Sequence, residues 1–82
     1  MYLAKVYVTL KPTVNDPQGR TIMGGLKSLG FTAVSDVRAG KYLEIKLQES
    51  SKAHAESRVR EMCEKLLANP VIEHYRFELV EV

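Results

Sequence analysis

Three stretches of the chain alternate apolar and polar side chains, a pattern typical of strands that bury one face. The first covers residues 2–10, where every even position is apolar. A second extended segment runs from about residue 33 to residue 48, which is too long for one flat strand, so we expect a bulge or a tight turn near Gly40. The last strand is predicted over about residues 73–82. The chain therefore supplies three extended segments, the second of them split.

A first helix is predicted to begin at the stretch NDPQGR. Asp16 is a preferred N-cap, and Pro17 suits the first helical position because the N–H that proline lacks is not needed there. Gly30 fits the left-handed position after the helix, with Phe31 expected to fold back onto Leu26. The apolar side of this helix is formed by Ile22, Leu26 and Leu29.

Gly24 and Gly25 lie inside this helix, where each costs roughly 1 kcal/mol relative to alanine. Close packing of the helix against the sheet is the simplest explanation for such a pair. We therefore expect the helix to approach the sheet at these two glycines.

A second helix is predicted over residues 52–67, after a capping serine at Ser50 or Ser51. Pro70 prevents the helix from continuing and pushes Asn69 out of the helical region. The side chains that we expect to face inward are Ala55, Val59, Met62 and Leu66, with Cys63 beside them.

This order of elements predicts an α+β fold. Two helices packed on one face of a small antiparallel sheet is the economical arrangement, and it resembles a ferredoxin-like sandwich of the form β-α-β(-β)-α-β. With 82 residues, of which 45% are hydrophobic and 27% charged, the chain is long enough for a single domain over residues 1–82 with a thin core.

The other face of the sheet has no helix to cover it in this arrangement. The face is partly apolar, and with so thin a core we expect it to be buried against another copy of the chain. A homo-oligomer is therefore predicted, with the candidate face residues Leu3, Tyr7, Tyr42, Val80 and Val82.

Charge and cysteine content narrow the class of protein further. The net charge is +2, and basic residues are interleaved with acidic ones rather than forming the dense patch of a nucleic-acid binder. The single cysteine, Cys63, excludes an internal disulfide and suits a reducing compartment. The N-terminus lacks a signal-peptide pattern, and no apolar run approaches the roughly 18 residues of a membrane span. We expect a cytoplasmic protein that binds neither nucleic acid nor membrane.

No constellation of catalytic or metal-binding residues is found in the sequence. His54, His74 and Cys63 are far apart and form no spaced pair of metal ligands. Cys63 lies beside the apolar stripe of the second helix, where a thiol is usually inert. Nucleophile-elbow and phosphate-loop motifs are absent. We therefore predict no catalytic residue and no metal on this chain.

The NDPQGR stretch admits two interpretations. A helix N-terminus is electropositive and can hold a phosphate or another anion. Asp16 already places a carboxylate on the first free N–H groups, so capping is the favoured interpretation. Gln18, Gly19 and Arg20 are not needed for capping, and the residues alone leave their role open.

Three segments of the chain together resemble a known family. They are LKPTVNDPQGRTI at residues 10–22, VRAGKYLEIKL at residues 37–47 and EMCEKLLANPVIEHYRFELVEV at residues 61–82. In this order they resemble the small PurS-type subunits of phosphoribosylformylglycinamidine (FGAM) synthase, an enzyme of bacterial and archaeal purine synthesis. The resemblance spans essentially the whole chain.

The resemblance implies a non-catalytic subunit of a three-component, glutamine-dependent ligase. A glutaminase subunit releases ammonia, and a large synthetase subunit uses ATP and Mg²⁺ to activate the amide oxygen of formylglycinamide ribonucleotide. Ammonia then displaces phosphate to give the amidine. The small subunit is expected to form a homodimer or tetramer, to bridge the two larger subunits and to assist ammonia transfer. No cofactor is expected on this chain itself.

The resemblance also implies three groups of candidate partner contacts, each at the end of an element, where binding residues tend to collect. Turn and cap chemistry is the competing explanation for every group. The candidates are Asp16, Gln18, Gly19 and Arg20 in the first group, Arg38, Gly40 and Lys41 in the second, and Asn69, Pro70 and Glu73 in the third.

One alternative of a different class stays open at this point. A small regulatory module resembling the ACT type has the same general topology and binds an amino-acid effector at a dimer interface. An accessory subunit restores glutamine-dependent activity to its partner enzymes, whereas a regulatory module binds free amino acids tightly and needs no amidotransferase.

Overall fold

The elements follow one another in the order strand, helix, strand, helix, strand. The computed structural model describes residues 1–82. Its elements are β1 (Tyr2–Leu10), α1 (Pro17–Ser28), β2 (Gly40–Leu47), α2 (Lys52–Met62), a π-helical turn (Cys63–Leu67) that continues α2, and β3 (Glu73–Glu81). The predicted α+β class, with two helices and an antiparallel sheet, is confirmed.

The three strands form one antiparallel sheet in the order β2-β1-β3, so β1 is central. Val6 in the middle of β1 lies opposite Leu43 of β2 and Phe77 of β3. Because successive residues of a strand point to opposite faces, the even positions of β1 share one face, called the inner face here. The odd positions share the opposite, outer face.

The second extended segment becomes a strand only from Gly40 onward, so no fourth strand forms and residues 31–39 run as a loop. The backbone of this loop bonds to the start of α1 instead of to a strand, since Ala39 N donates to Asp16 Oδ2 at 2.7 Å. The chain does break at Gly40 as expected. The break is the start of the strand rather than a bulge within it.

The core lies between α2 and the inner face of the sheet. Val6 and Val8 of β1 are buried against Val59 of α2 and Cys63, and all four side chains are at most 1% exposed. Ala4 of β1 and Ala68, just after the π-helical turn, belong to the same cluster. A core of so few small side chains agrees with the thin core expected for a chain of this length.

The π-helical turn changes which side chains at the end of the second helix face inward. Ala68 N donates to the carbonyl of Cys63 at 3.0 Å, five residues back, which places one extra residue in the turn. Leu66, which we expected to face inward, is consequently 81% exposed. The buried stripe continues from Val59 to Cys63, and Met62 is only half-buried.

α1 does not lie on the sheet of its own chain. Gly19 is its only buried residue, none of its side chains belongs to the core, and nothing lies within 4 Å of a Cβ built on Gly24 or Gly25. The chain measures 50 × 27 × 14 Å, and its length matches a strand of about 30 Å followed by a helix of about 18 Å. The prediction of two helices on one face therefore holds for α2, but α1 extends beyond the end of the sheet, and the close packing expected at its glycines is absent within the chain.

Candidate functional site

The three loops that carry the predicted partner contacts meet at one end of the sheet. Gly40, the first residue of β2, pairs with Thr9, and Glu73, the first residue of β3, pairs with Leu10 at the end of β1. The loop before α1 follows directly on β1. The structure thus brings all three predicted groups together in a region that we call the loop end of the sheet.

The carboxylate of Asp16 joins two of these loops. It is 4% exposed and accepts hydrogen bonds from Gly19 N at 3.0 Å and from Ala39 N at 2.7 Å. These two backbone donors, with a smaller contribution from the charge of Arg38, hold the pKa of the Asp16 carboxyl below its usual value. The predicted capping role is confirmed. A carboxylate that is ionised at this helix terminus would repel a phosphate, which disfavours the anion-binding interpretation.

Two glycines allow backbone segments to approach closely at the loop end. A Cβ on Gly19 would overlap the carbonyl oxygen of Val37 and lie 2.8 Å from Asp16 Oδ2. A Cβ on Gly40 would lie 2.5 Å from the carbonyl oxygen of Val8. Each glycine is therefore required by the fold of the loop end, whether or not it also contacts a partner.

The guanidinium of Arg38 fastens the loop that follows β1. Its Nη2 donates to the carbonyl oxygens of Lys11 and Val14, both at 2.9 Å. These bonds span 27 and 24 positions of sequence, so they tie together segments that the chain itself does not hold close. With the Asp16–Ala39 bond they fix how α1 leaves the sheet.

Asn69 and Glu73 form a turn before β3. Asn69 N donates to Glu73 Oε1 at 2.6 Å, and Val71 N donates to Asn69 Oδ1 at 3.1 Å. Asparagine often bonds its own backbone two residues on in this way. The turn chemistry considered as the competing explanation therefore operates in this group, and Pro70, which lies between Asn69 and Glu73 in the sequence, is exposed.

Other predicted contact residues have no internal role that the structure reveals. The side chains of Gln18, Arg20 and Lys41 are exposed and form no hydrogen bond or ion pair within the chain. A depression of about 260 Å³ at the loop end is lined by Gln18 and Lys41 together with Gly40 and Glu73. Members of all three groups thus border one concave surface, and their contact with a partner stays a prediction.

The predicted homo-oligomer residues lie together on the outer face. The register sets Leu3 beside Val80 and Tyr7 beside Tyr42. The rings of the two tyrosines are 5.0 Å apart between centroids, with a tilt of 43°. Val82 follows β3 and is 61% exposed. Contact of this face with another copy also stays a prediction.

The homo-oligomer residues predicted from the sequence include no charged side chain, but the structure places several charged side chains on the same outer face. The guanidinium carbon of Arg76 lies 4.0 Å from the centroid of the Tyr7 ring, a cation–π distance. Lys5, in the central strand, is flanked by Glu44 and Glu78. Arg76 lies within the last strand predicted from the sequence, but its place beside Tyr7 depends on the strand register, which the sequence alone does not give. The centre of the outer face therefore consists of aromatic rings and the guanidinium of Arg76, with charged side chains around them, and the face is not a purely apolar patch.

The hydroxyl of Tyr42 is held by a carboxylate on the same face. It donates to Glu44 Oε2 at 2.8 Å. This hydrogen bond, together with desolvation and the nearby negative charge, raises the pKa of Tyr42 to about 12. The phenol is therefore a neutral donor at any physiological pH.

The histidines and the cysteine form no reactive cluster in the structure. No group of three or more His, Cys, Asp or Glu side chains could hold a metal ion. Cys63 is fully buried, and desolvation, with a smaller contribution from Glu64, raises the pKa of its thiol. None of the helices has the length and hydrophobicity of a membrane span.

Comparison with known proteins connects these surfaces to a family. A family profile described as "PurS: Phosphoribosylformylglycinamidine (FGAM) synthase" matches residues 3–81. The phosphoribosylformylglycinamidine synthase subunit PurS of Bacillus subtilis is 51% identical over 82 residues, which are 100% of this chain and 96% of that protein.

Solved structures agree with this match. The crystal structure of Methanocaldococcus jannaschii PurS, described as one of the subunits of formylglycinamide ribonucleotide amidotransferase, superposes with a TM-score of 0.88 at 41% identity and covers 100% of this chain and 99% of that one. A chain in a structure described as PurLQS from Thermotoga maritima superposes with a TM-score of 0.86 at 30% identity, covering 98% and 99%. This chain belongs to the PurS family of FGAM synthase subunits.

Proposed function

We propose that this chain is the small, non-catalytic subunit of a glutamine-dependent FGAM synthase, bridging the glutaminase and synthetase subunits and assisting ammonia transfer between them. The observation that carries the proposal is the full-length likeness to PurS chains, one of them from a structure described as PurLQS. The same likeness favours this function over the ACT-like regulatory module. We assign no cofactor to this chain, and ATP and Mg²⁺ belong to the synthetase subunit.

The properties of ammonia explain why a subunit without a nucleophile is useful. Ammonia released into water near neutral pH is mostly protonated, so it is no longer nucleophilic, and it diffuses away. Holding its source and its acceptor in fixed alignment keeps its effective concentration high where it reacts. This role requires surfaces that bind two larger proteins.

Two surfaces of the chain suit this role. At the loop end, Gln18, Arg20 and Lys41 are exposed and free of internal bonds, and we propose that they contact a larger subunit. On the outer face, the Tyr7–Tyr42 pair under Arg76 supplies the aromatic and arginine side chains that are enriched at protein interfaces. We propose that this face joins copies of the chain in a homodimer or tetramer.

The compartment follows from the same proposal. A subunit of a purine-synthesis enzyme works where ribonucleotides and glutamine are made, and the one thiol of the chain, Cys63, is free and buried. We therefore propose the cytoplasm as its location.

Reconstitution tests the proposed function directly. The chain is added to purified glutaminase and synthetase subunits, and the formation of the amidine is measured with glutamine and, separately, with ammonium salt at high pH. We expect the chain to restore the glutamine-dependent rate and to leave the ammonia-dependent rate nearly unchanged. Equal effects on both rates, or no effect on either, would refute the proposal.

Charge reversal at the loop end tests the contact surface. Arg20→Glu and Lys41→Glu are each expected to weaken assembly about tenfold, because each replaces a cation by an anion at a contact that we propose to be electrostatically complementary. Lys52→Glu is the matched control, since Lys52 is also exposed but follows β2 at the opposite end of the sheet. If all three variants weaken assembly equally, the effect reflects net charge and the loop end is not the contact.

A further inference from the structure

β3 forms one edge of the sheet, because the strand order β2-β1-β3 gives it a neighbour on one side only. Next to its two ends, Lys11 N donates to the carbonyl of Ile72 at 2.8 Å, and Val82 N donates to the carbonyl of Met1 at 2.9 Å. Ile72 and Val82 are both even-numbered, and the register between them is unbroken. Hydrogen-bonded pairs alternate along an antiparallel ladder. The even residues of β3 therefore bond to β1, and the odd residues direct their N–H and C=O groups away from it.

The odd residues Tyr75, Phe77 and Leu79 present a row of unpaired backbone groups along this edge. No other backbone or side-chain group of the chain bonds to them. Their side chains lie on the inner face, where α2 holds the strand in place. Tyr75 Oη donates to Glu64 Oε1 at 2.7 Å, and the guanidinium carbon of Arg60 lies 5.8 Å from the centroid of the Phe77 ring. The edge is thus an extended template to which another strand can add.

The two edges of the sheet are not protected alike. Proteins discourage pairing at an edge with lysines, prolines, bulges or short strands. β2 carries Lys41 and Lys46, whereas β3 has neither lysine nor proline and pairs with β1 without a bulge over nine residues. β3 is therefore the edge that is more open to an added strand.

The charge of β3 indicates what kind of strand fits. Three glutamates, Glu73, Glu78 and Glu81, stand against the single cation Arg76, which gives β3 a net charge of −2 on a chain whose net charge is +2. A second copy would bring the same acidic strand to the edge, and like charges would repel. A cationic segment is electrostatically complementary.

A depression of about 300 Å³ adjoins the edge and suits one side chain of an added strand. Phe77 and Leu79 form its apolar lining, and Lys52, Glu56 and Glu78 complete it. With two carboxylates and one ammonium, the lining carries a net charge of −1. Lysine and arginine fit such a place, because their aliphatic stems cover apolar surface while their charged ends stay at the rim.

We propose that an extended segment of a larger subunit adds to the edge of β3 as a fourth strand, with a lysine or arginine of that segment in the depression. Backbone hydrogen bonds to Tyr75, Phe77 and Leu79 hold the segment, and the depression selects its side chain. This inference rests on the proposed function and deepens it. A bridging subunit needs two separate contact surfaces, and the middle of the β3 edge is separate from the loop end.

Hydrogen exchange tests the added strand through its alternation. The ¹⁵N-labelled chain is exchanged in D₂O alone and with the purified larger subunits, added singly and together, and its amide signals are read after acid quenching. We expect the amides of Phe77 and Leu79 to exchange at least about tenfold more slowly in the complex, while those of Arg76 and Glu78, already bonded to β1, change much less. Absence of this slowing in an assembled complex overturns the inference. Equal slowing at all four positions also overturns it, since binding then stabilises the chain without pairing at the edge.

Substitutions in α2 test the cationic side chain. Glu56→Lys is expected to weaken assembly about tenfold, with an unchanged circular dichroism spectrum because Glu56 is exposed. Ser57→Lys is the matched control, since it adds the same residue one position later, on the side of the helix opposite the buried Ala55 and Val59. Lys52→Glu makes the depression more acidic and should bind no more weakly than the wild type, which agrees with its use as the control for the loop end. Equal weakening by Glu56→Lys and Ser57→Lys would contradict a cationic occupant.

The remaining outcomes separate this inference from the proposed function. A chain that restores glutamine-dependent activity without protection of Phe77 and Leu79 overturns the added strand and leaves the function intact. A chain whose edge is protected by a larger subunit, yet which restores no activity, supports the added strand and refutes the function. Protection of the same amides in the chain alone, rising with its concentration, overturns the inference, because a second copy then occupies the edge.

Discussion

Replacing Gly19 by alanine tests whether the close contact at the base of α1 holds the loop end together. The added Cβ would overlap the carbonyl oxygen of Val37 and crowd Asp16 Oδ2 at 2.8 Å. Since Val37 O belongs to the backbone, no side-chain rotation can relieve the overlap, and α1 must move away from the loop.

The magnitude follows from three opposing contributions. Overpacking of a tight contact costs about 1–3 kcal/mol, and displacement of the helix weakens the capping bond, which is worth about 1 kcal/mol. Alanine gains about 1 kcal/mol over glycine inside a helix. The net expectation for Gly19→Ala is a loss of about 2 kcal/mol in the free energy of unfolding, or a fall of roughly 10 °C in Tm for a domain of this size.

Gly24→Ala is the matched control in the same helix. Nothing lies within 4 Å of a Cβ at Gly24, and this position lies on the side of α1 opposite Ile22 and Leu26, so only the helix propensity changes. We expect the free energy of unfolding to rise by about 0.5–1 kcal/mol. Both variants are compared with the wild type by urea unfolding at one protein concentration, followed by circular dichroism. If Gly19→Ala proved neutral or stabilising while Gly24→Ala behaved as expected, the close approach at the base of α1 would be wrong.

Three further measurements test other parts of the structure. The pKa of Asp16 is lowered on folding, so the stability that its carboxylate contributes is present above the unfolded pKa near 3.8 and is lost as the pH falls through the lower folded value. The loss of stability caused by Asp16→Asn should therefore be clear at pH 7 and shrink below pH 3. A loss that does not depend on pH would contradict this. Val59→Ala, at a fully buried position, should lower the free energy of unfolding by about 2–3 kcal/mol, whereas Val71→Ala, at a position 76% exposed, should change it by less than about 0.5 kcal/mol; equal effects would mean that α2 is misplaced. The Cys63 thiol is buried with a raised pKa, so it should react with a thiol-specific disulfide reagent only as fast as the chain opens, and immediate reaction in native buffer would disprove its burial.

The strands were predictable because their signal is local. Alternation over residues 2–10 and 73–82 corresponds to β1 (Tyr2–Leu10) and β3 (Glu73–Glu81), and the caps at Asp16 and Ser51 mark the starts of both helices. In each case the deciding signal, an alternating pattern or a capping bond, involves residues only a few positions apart in the sequence.

The position of α1 was not predictable from the same kind of signal. An amphipathic pattern shows that a helix has a side to bury, but it does not show which surface covers that side. Here the answer depends on bonds from Asp16 to Ala39 and from Arg38 to Lys11, which join residues 23 and 27 positions apart. The exposure of Leu66 depends likewise on one extra residue in the π-helical turn, which helical periodicity does not anticipate.

The sequence predicted which residues belong to the candidate site, but it did not predict that they lie together. Resemblance to the family supplied three groups of residues at element ends, and the antiparallel register is what gathers them at one end of the sheet. The structure was needed to tell the residues with a role inside the chain from those free to contact a partner. Its distances show that Asp16 and Arg38 form hydrogen bonds within the chain, whereas Gln18 and Lys41 do not.

The smallest dimension of the chain, 14 Å, makes it a plate rather than a sphere. Proteins seated on opposite sides of such a plate, or at one rim of it, are separated by little more than a single layer of secondary structure. A neutral molecule as small as ammonia crosses that gap by diffusion in far less time than one catalytic turnover takes. In the proposed function, a connector this thin keeps the path of ammonia between two distinct enzymes to little more than the thickness of the chain.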